Sequence, residues 1–388
     1  MTGVSFSLHR WCKVLSFLSA IAIGGAAKAD VLTYQIIDLG TLGGTSSDGS
    51  SVNNRGQVTG QARTTGDSSA HAYLKDLHGA MQDLGTLGGL YSGGAGINDS
   101  GQVVGGSNTT NNAQQHAFLK NPGSPMQDIG TLGGTSSFAS GINKSGQVVG
   151  TAALAGDYSD HAFRRDVDGV MHDLGTLGGN LSIGHGINDS GQITGVADLP
   201  SGSGHAFLTD STGQMQDLGT LGGEGSIGYA VNNRGQVTGN SNIPISIAVH
   251  AFLKNPGGAM QDLGTLPGGL YSEGYGINNM GQVVGSSGIP VIQGTHAFIF
   301  DAGLMKDLNT MVDPAGSSKE WNLFSAYSIN DVGQIAGWGT FNGNNHGFLL
   351  IPESTSNPAA LPSPAWAALS IMAALAIPQL LRKKPRSA

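Results

Sequence analysis

The heptapeptide DLGTLGG occupies residues 38–44 and returns from Asp83, Asp128 (as DIGTLGG), Asp173, Asp217 and Asp262, with a worn copy, DLNTMV, from Asp307. Successive copies lie 44 or 45 residues apart. A fixed period of that size is the mark of a repeat architecture. Two further phrases travel with it. Asn-x-x-Gly-Gln, two β-favouring residues and Gly recur seven times, from VNNRGQVTG at 52–60 and INDSGQVVG at 97–105 to INDVGQIAG at 329–337. His-Ala-Phe begins at 116, 161, 205, 250 and 296, with HAY at 71 and HGF at 346.

Each unit parses into four short strands, roughly Ala95–Asn98, Gln102–Gly105, His116–Leu119 and Met126–Ile129 in the second. Asp99-Ser100-Gly101 supplies a tight turn between the first two, where glycine accepts positive φ. Asn121-Pro122-Gly123 does the same for the last two. Tight turns join antiparallel neighbours, so each unit is a meander. Along HAFLK, Ala and Leu face one side and Phe the other, which suits a sheet covered on both faces. Four-stranded units of this length, stacked face to face, predict an all-β, seven-bladed β-propeller. A β-helix is the structural rival.

The ends of the repeat array favour a ring. The seventh unit stops after HGFLL (346–350) without a fourth strand, and YQIIDLG (34–40) is a fourth strand with no unit before it. Joining them completes seven blades and removes the exposed edges. In this reading DLGTLGG is a hinge from the outer strand of one blade to the inner strand of the next. Asp38 or Asp83 caps its own turn, and Leu42 or Leu87 plugs between blades. Each repeat His is expected to hydrogen-bond a nearby turn or the repeat Asp.

At these three phrases the chain, over about residues 34–351, resembles the HAF-repeat family of extracellular bacterial proteins, named for the tripeptide. The resemblance implies export and repetition and carries no activity with it.

The flanks speak of export. Residues 1–29 read as a signal peptide: Arg10 and Lys13, an apolar run from Val14 to Ala26, and Ala27-Lys28-Ala29 as a small-x-small cleavage site. The only cysteine, Cys12, lies inside it, so the remaining domain, 30–352, has no disulfide or thiol chemistry. After a linker at 353–364, residues 365–388 form a second address. Pro362-Ser363-Pro364 precedes the apolar run Ala365–Leu381 and the basic cluster Arg382-Lys383-Lys384-Pro385-Arg386. This layout resembles the PEP-CTERM sorting signal, with Pro-Ser-Pro where that signal usually has Pro-Glu-Pro. It implies a membrane-anchored stage and an exosortase-type processing enzyme; a plain C-terminal anchor is the alternative. The full sequence has formal charge −8, and seven of its positive charges sit in these two end segments, which leaves the repeat domain and linker together at −15. Such a surface repels phosphate backbones, so nucleic acid is not an expected partner.

Chemistry-bearing motifs are scarce. GTLGG lacks the lysine of a phosphate loop. One His per unit does not make a shared metal site, and Lys144 at the loop position otherwise held by Asn or Asp argues against calcium. No cofactor and no metal are expected. No G-x-S-x-G or H-E-x-x-H occurs. The segments between second and third strands differ from unit to unit, and variable loops on a rigid scaffold are where recognition usually lives. From them we select Asp67, Asp157, Tyr158, Asp160, Trp338 and Phe341 as polar and stacking contacts to a sugar or peptide. The expected function is an exported, surface-associated binding or structural module, not an enzyme, with polysaccharide or another surface protein as partner. The alternative is a secreted propeller enzyme acting on polysaccharide.

Overall fold

In the fourth repeat the strands Ser182–Ile187, Ile193–Asp198, Gly204–Thr209 and Met215–Asp217 pair antiparallel in chain order. The same four-stranded meander recurs along the chain, as the repeat phrases predict. The computed structural model describes residues 32–353 apart from 211, 245–247, 290–293 and 313–319. The signal segment, most of the linker and the C-terminal address lie outside the described residues. Five sheets have four strands, and a sixth of nine strands joins the first two repeats through a single parallel bridge, Ala70 to Tyr91. Antiparallel pairing inside each unit is that of a meander, not of β-helix coils. Among the described residues, only short 3₁₀ turns interrupt the strands, and no helix is long and apolar enough to cross a membrane.

The turns are where the sequence puts them. Gly101 and Gly123 take φ of 77° and 72°. The Asn of each N-x-x-G-Q phrase organises its turn. Asn188 Oδ1 accepts from the Ser190 and Gln192 amides at 3.1 and 3.0 Å. Its Nδ2 donates to Gln192 Oε1 and, across to the next repeat, to the carbonyl of Asn232. All four hydrogen-bonding positions of the carboxamide are therefore used. Asn53 donates to the Asn98 carbonyl, Asn98 to Asn143, Asn143 to Asn188, and Asn188 to Asn232. Asn232 donates to Asn278, Asn278 to Asn330, and Asn330 back to Asn53. The seven repeats thus form a closed circuit of hydrogen bonds.

Apolar packing follows the alternation along HAFLK. Ala117 and Leu119 of one repeat meet Ala139, Val148 and Phe163 of the next in one buried cluster, while Phe118 turns the other way to pack with Ala72 and Val103. A buried serine fastens adjacent repeats. Ser182 Oγ donates to the hinge carbonyl of Gly175 and accepts from the Ala162 amide. Ser92, Ser137, Ser226 and Ser272 make the same pair of bonds.

The strand Thr33–Asp38 pairs with Asn344–Glu353 over six residues, from Thr33 opposite Glu353 to Asp38 opposite Phe348. It supplies the outer strand that the last repeat lacks. Tyr34, 1% exposed, packs among Ile299, Leu308 and Leu323. Leu39 enters a different cluster, with Val52, Val58 and Tyr73 of the first repeat.

Candidate functional site

Each repeat's first strand carries one extra residue against the second. In the fourth repeat Gly184 and Gly186 oppose Gly195 and Thr194, so His185 is the bulged residue. The equivalent interruptions fall at Tyr229, Tyr275 and Tyr327, at Ala95 and Ser140, and in the first repeat between Ser47 and Ser51, a stretch that contains Ser50. A bulge re-aims a side chain. It also explains the last glycine of the N-x-x-G-Q phrase. A Cβ on Gly195 would sit 1.9 Å from the Ile183 carbonyl oxygen, and one on Gly285 1.8 Å from that of Glu273.

The bulged position lies three residues before each ring asparagine. It is small in three repeats (Ser50, Ala95, Ser140) and a large ring in four (His185, Tyr229, Tyr275, Tyr327). The four rings stack side by side across consecutive repeats, with centroids 5.3, 5.3 and 5.4 Å apart and planes tilted by 57–58°. All are half-buried. The bulged position is thus aromatic in four consecutive repeats and small in the other three, a clear break in an otherwise uniform repeat.

Two carboxylates accompany this arc. Glu273 Oε1 accepts from Asn240 Nδ2 at 2.7 Å, and Oε2 accepts from the Tyr275 hydroxyl. Burial, followed by the charge of Glu273, pushes the Tyr229 hydroxyl up to about 12. Tyr275 is also raised, by burial first and then by its bond to Glu273. Asp48 is held up by burial, against the lowering effect of bonds from the Gln61 amide and the Ser50 hydroxyl, both to Oδ1. Burial also raises Tyr327, with Asp48 the next cause. His185 is lowered to about 4 by burial, so its imidazole is neutral at neutral pH. No ion pair among the described residues includes Asp48 or Glu273.

At Tyr327 the arc meets a cavity of about 220 Å³ between the first and last repeats. Asp48, Gln61, Arg63, Tyr327, Trp338 and Asn345 supply its functional groups. Trp338 also packs on Phe324, centroids 5.2 Å apart. A second cavity, of about 200 Å³, is lined by the ring asparagines and the residues beside them. There the neighbours form their own belt: Asn54 N–H to Asp99, Lys144 to Asp189, Asp189 to Asn233, Asn233 to Asn279, Asn279 to Asp331, and Asp331 to Asn54. The link from Asp99 to Lys144 has no counterpart, because an ammonium accepts nothing. Among the described residues no group of three or more His, Cys, Asp or Glu side chains is placed to hold a metal ion.

The six residues selected from the variable segments are not brought together. Asp67 and Asp157 take φ of 58° and 56°, and each carboxylate receives a hinge amide of its own repeat, from Thr45 and Thr135 at 2.8 and 2.7 Å. Asp160 is exposed at the start of the strand Asp160–Arg165. Tyr158 is 92% exposed. Phe341 stacks on Trp321 with centroids 5.0 Å apart. Of the six, Trp338 is the one that lines either of the two cavities described above. The repeat histidines behave as expected: Nδ1 lies 2.7–3.0 Å from the repeat Asp in every unit, and His346 reaches Asp38 at 2.9 Å across the joined ends. Those aspartates also cap their hinges, as at Gly40 and Gly85.

No protein-family model matches this chain, and no curated protein does. Among solved structures, a puromycin hydrolase (S511A mutant, complexed with PGG) is similar at 13% identity and a TM-score of 0.51, over 76% of this chain and 50% of that one. A puromycin-hydrolyzing peptidase from Mycobacterium tuberculosis has 11% identity, a TM-score of 0.48, and coverage of 80% and 53%. A gluconolactonase from Xanthomonas campestris has 12% identity, a TM-score of 0.41, and coverage of 84% and 96%. The chain spans about half the length of the first of these. That likeness supports a propeller-like fold and nothing finer.

Proposed function

We propose that this chain is a seven-bladed β-propeller, closed by its N-terminal strand, which serves outside the cell as a binding module for polysaccharide. The closed reading is supported by the asparagine circuit and by the pairing of Thr33–Asp38 with the last repeat. The binding reading is carried by one observation. Trp338 follows the second-strand glycine, where the other repeats have Gln61, Gly106, Thr151, Val196, Asn240 and Ser286, and it lines a cavity furnished with Asp48, Gln61, Arg63 and Asn345. An indole beside several directed polar groups is the chemistry that holds a sugar ring. Export, surface attachment, the exosortase-type processing step and the HAF-repeat kinship belong to the same proposal and rest on the sequence. Tyr158 and Asp160 remain candidate contacts on the exposed loops.

A second reading has its own observation. Asp48 lines the same cavity, and burial raises its carboxyl, which is the condition of a general acid. On that reading the protein cleaves the polysaccharide it binds. One experiment addresses both: titration against a panel of bacterial and plant polysaccharides, with reducing ends measured in parallel. Binding that Trp338→Ala weakens about tenfold or more is the expected result. Unchanged binding in a well-folded Trp338→Ala protein contradicts the assignment of the cavity. Reducing ends that disappear in Asp48→Asn would move the account to the enzyme.

A further inference from the structure

Glu273 is a half-buried carboxylate two residues before Tyr275 on the strand Ser272–Ile277, with only neutral partners. The Tyr275 hydroxyl donates to it, and the rings of Tyr229 and Tyr327 flank that of Tyr275 with centroids 5.3 and 5.4 Å away. Asp48 stands near the end of the same arc, and its Oδ2 makes no hydrogen bond among the described residues. The only basic side chain lining the adjoining cavity is Arg63, whose Nη1 is already spent on the Asp67 carbonyl. Aromatic rings attract a cation through their faces, and more strongly where water is partly excluded. A carboxylate beside them adds charge attraction in a medium of low effective dielectric. The repeat domain as a whole is also acidic, so it draws cations and repels uronates and phosphates.

We propose that this aromatic arc, with Glu273 at its centre, binds the free ammonium group of an amino sugar. The inference rests on the polysaccharide reading above and narrows it: the polymer carries unacetylated amines. In the other three repeats the same position holds Ser50, Ala95 and Ser140, so no further ring is set there. The Tyr275 hydroxyl and Asn240 hold the carboxylate in place, while its charge stays unmatched until the ammonium arrives.

The test titrates the protein with a glucosamine hexamer, the N-acetylated hexamer, trilysine and tetramethylammonium, at mildly acidic pH where the sugar amine is charged. Tyrosine and tryptophan fluorescence report binding. The glucosamine hexamer is expected to bind about tenfold tighter than its acetylated form. Glu273→Gln removes that preference and leaves the acetylated affinity in place. Tyr229→Leu, which spares both bonds to Glu273, weakens the amine form selectively and serves if the first variant does not fold. Equal affinities, or a preference that survives both variants, overturn the proposal. Trilysine binding as tightly as the amino sugar overturns its sugar half. If neither hexamer binds, the polysaccharide reading fails. Tetramethylammonium binding sensitive to Glu273→Gln would then keep the ammonium site, and its absence would end that too.

Discussion

Removal of residues 30–40 lowers the stability of the domain by at least about 5 kcal/mol, which shifts the melting temperature by about 10 °C. The deletion exposes the cluster that Tyr34 completes and the one that Leu39 completes. Each large apolar side chain contributes about 1.5–3 kcal/mol on full burial, and both are almost wholly buried. It also leaves Asn344–Glu353 with one side unpaired and His346 without Asp38. An exposed edge of that length invites pairing between molecules, so the truncated protein is expected to associate as well as to melt early. Thermal unfolding followed by circular dichroism, with light scattering in parallel, checks both effects. A truncated protein that melts like the intact one contradicts the role given to this strand.

Asn188→Leu is expected to cost about 3–5 kcal/mol. Asn188 is 3% exposed, and its side chain serves four partners. Leucine orphans the Ser190 and Gln192 amides and removes the donor that reaches the Asn232 carbonyl. A buried donor left without a partner costs about 1–3 kcal/mol, whereas a hydrogen bond made in water's place contributes only about 1. Ser190→Ala, in the same turn, leaves every one of these bonds intact because only its backbone takes part. It is expected to stay within about 0.5 kcal/mol of the parent. Urea unfolding of the pair separates the carboxamide from the turn. Similar midpoints for the two variants would show that the asparagine circuit contributes little.

Much of the scaffold is legible in the sequence because each repeated residue has a local task that identity alone reveals. Gly101 and Gly123 mark turns through positive φ, the hinge aspartates cap amides two residues on, and HAF alternates between two buried faces. The missing outer strand of the last repeat is visible as a deficit at one end and a surplus at the other. The site is much less legible. Trp338 stands out as an oddity among small and polar residues, whereas Asp67, Asp157, Tyr158, Asp160 and Phe341 share only their place in variable segments. Asp67 and Asp157 are there to serve their own hinges. The aromatic arc escapes because period-two reasoning assigns directions along a regular strand, and the bulge breaks that alternation at the decisive residue. The signal was nevertheless present: three residues before each repeat asparagine, Ser50, Ala95 and Ser140 give way to His185, Tyr229, Tyr275 and Tyr327.

The cavity beside Trp338 is lined by residues of the first repeat and the last, so the proposed site depends on the proposed ring closure. The most direct measurement places cysteines at Gln35 and Ile351, which face each other across the closing pair of strands. The sole native cysteine, Cys12, is replaced by serine. Paired strand residues lie within the span a disulfide bridges. Closure predicts that mild oxidation yields an intramolecular bond in nearly every molecule, seen as one faster, reducible band and a higher melting temperature. Free thiols after oxidation, or bonds formed only between molecules, would contradict it.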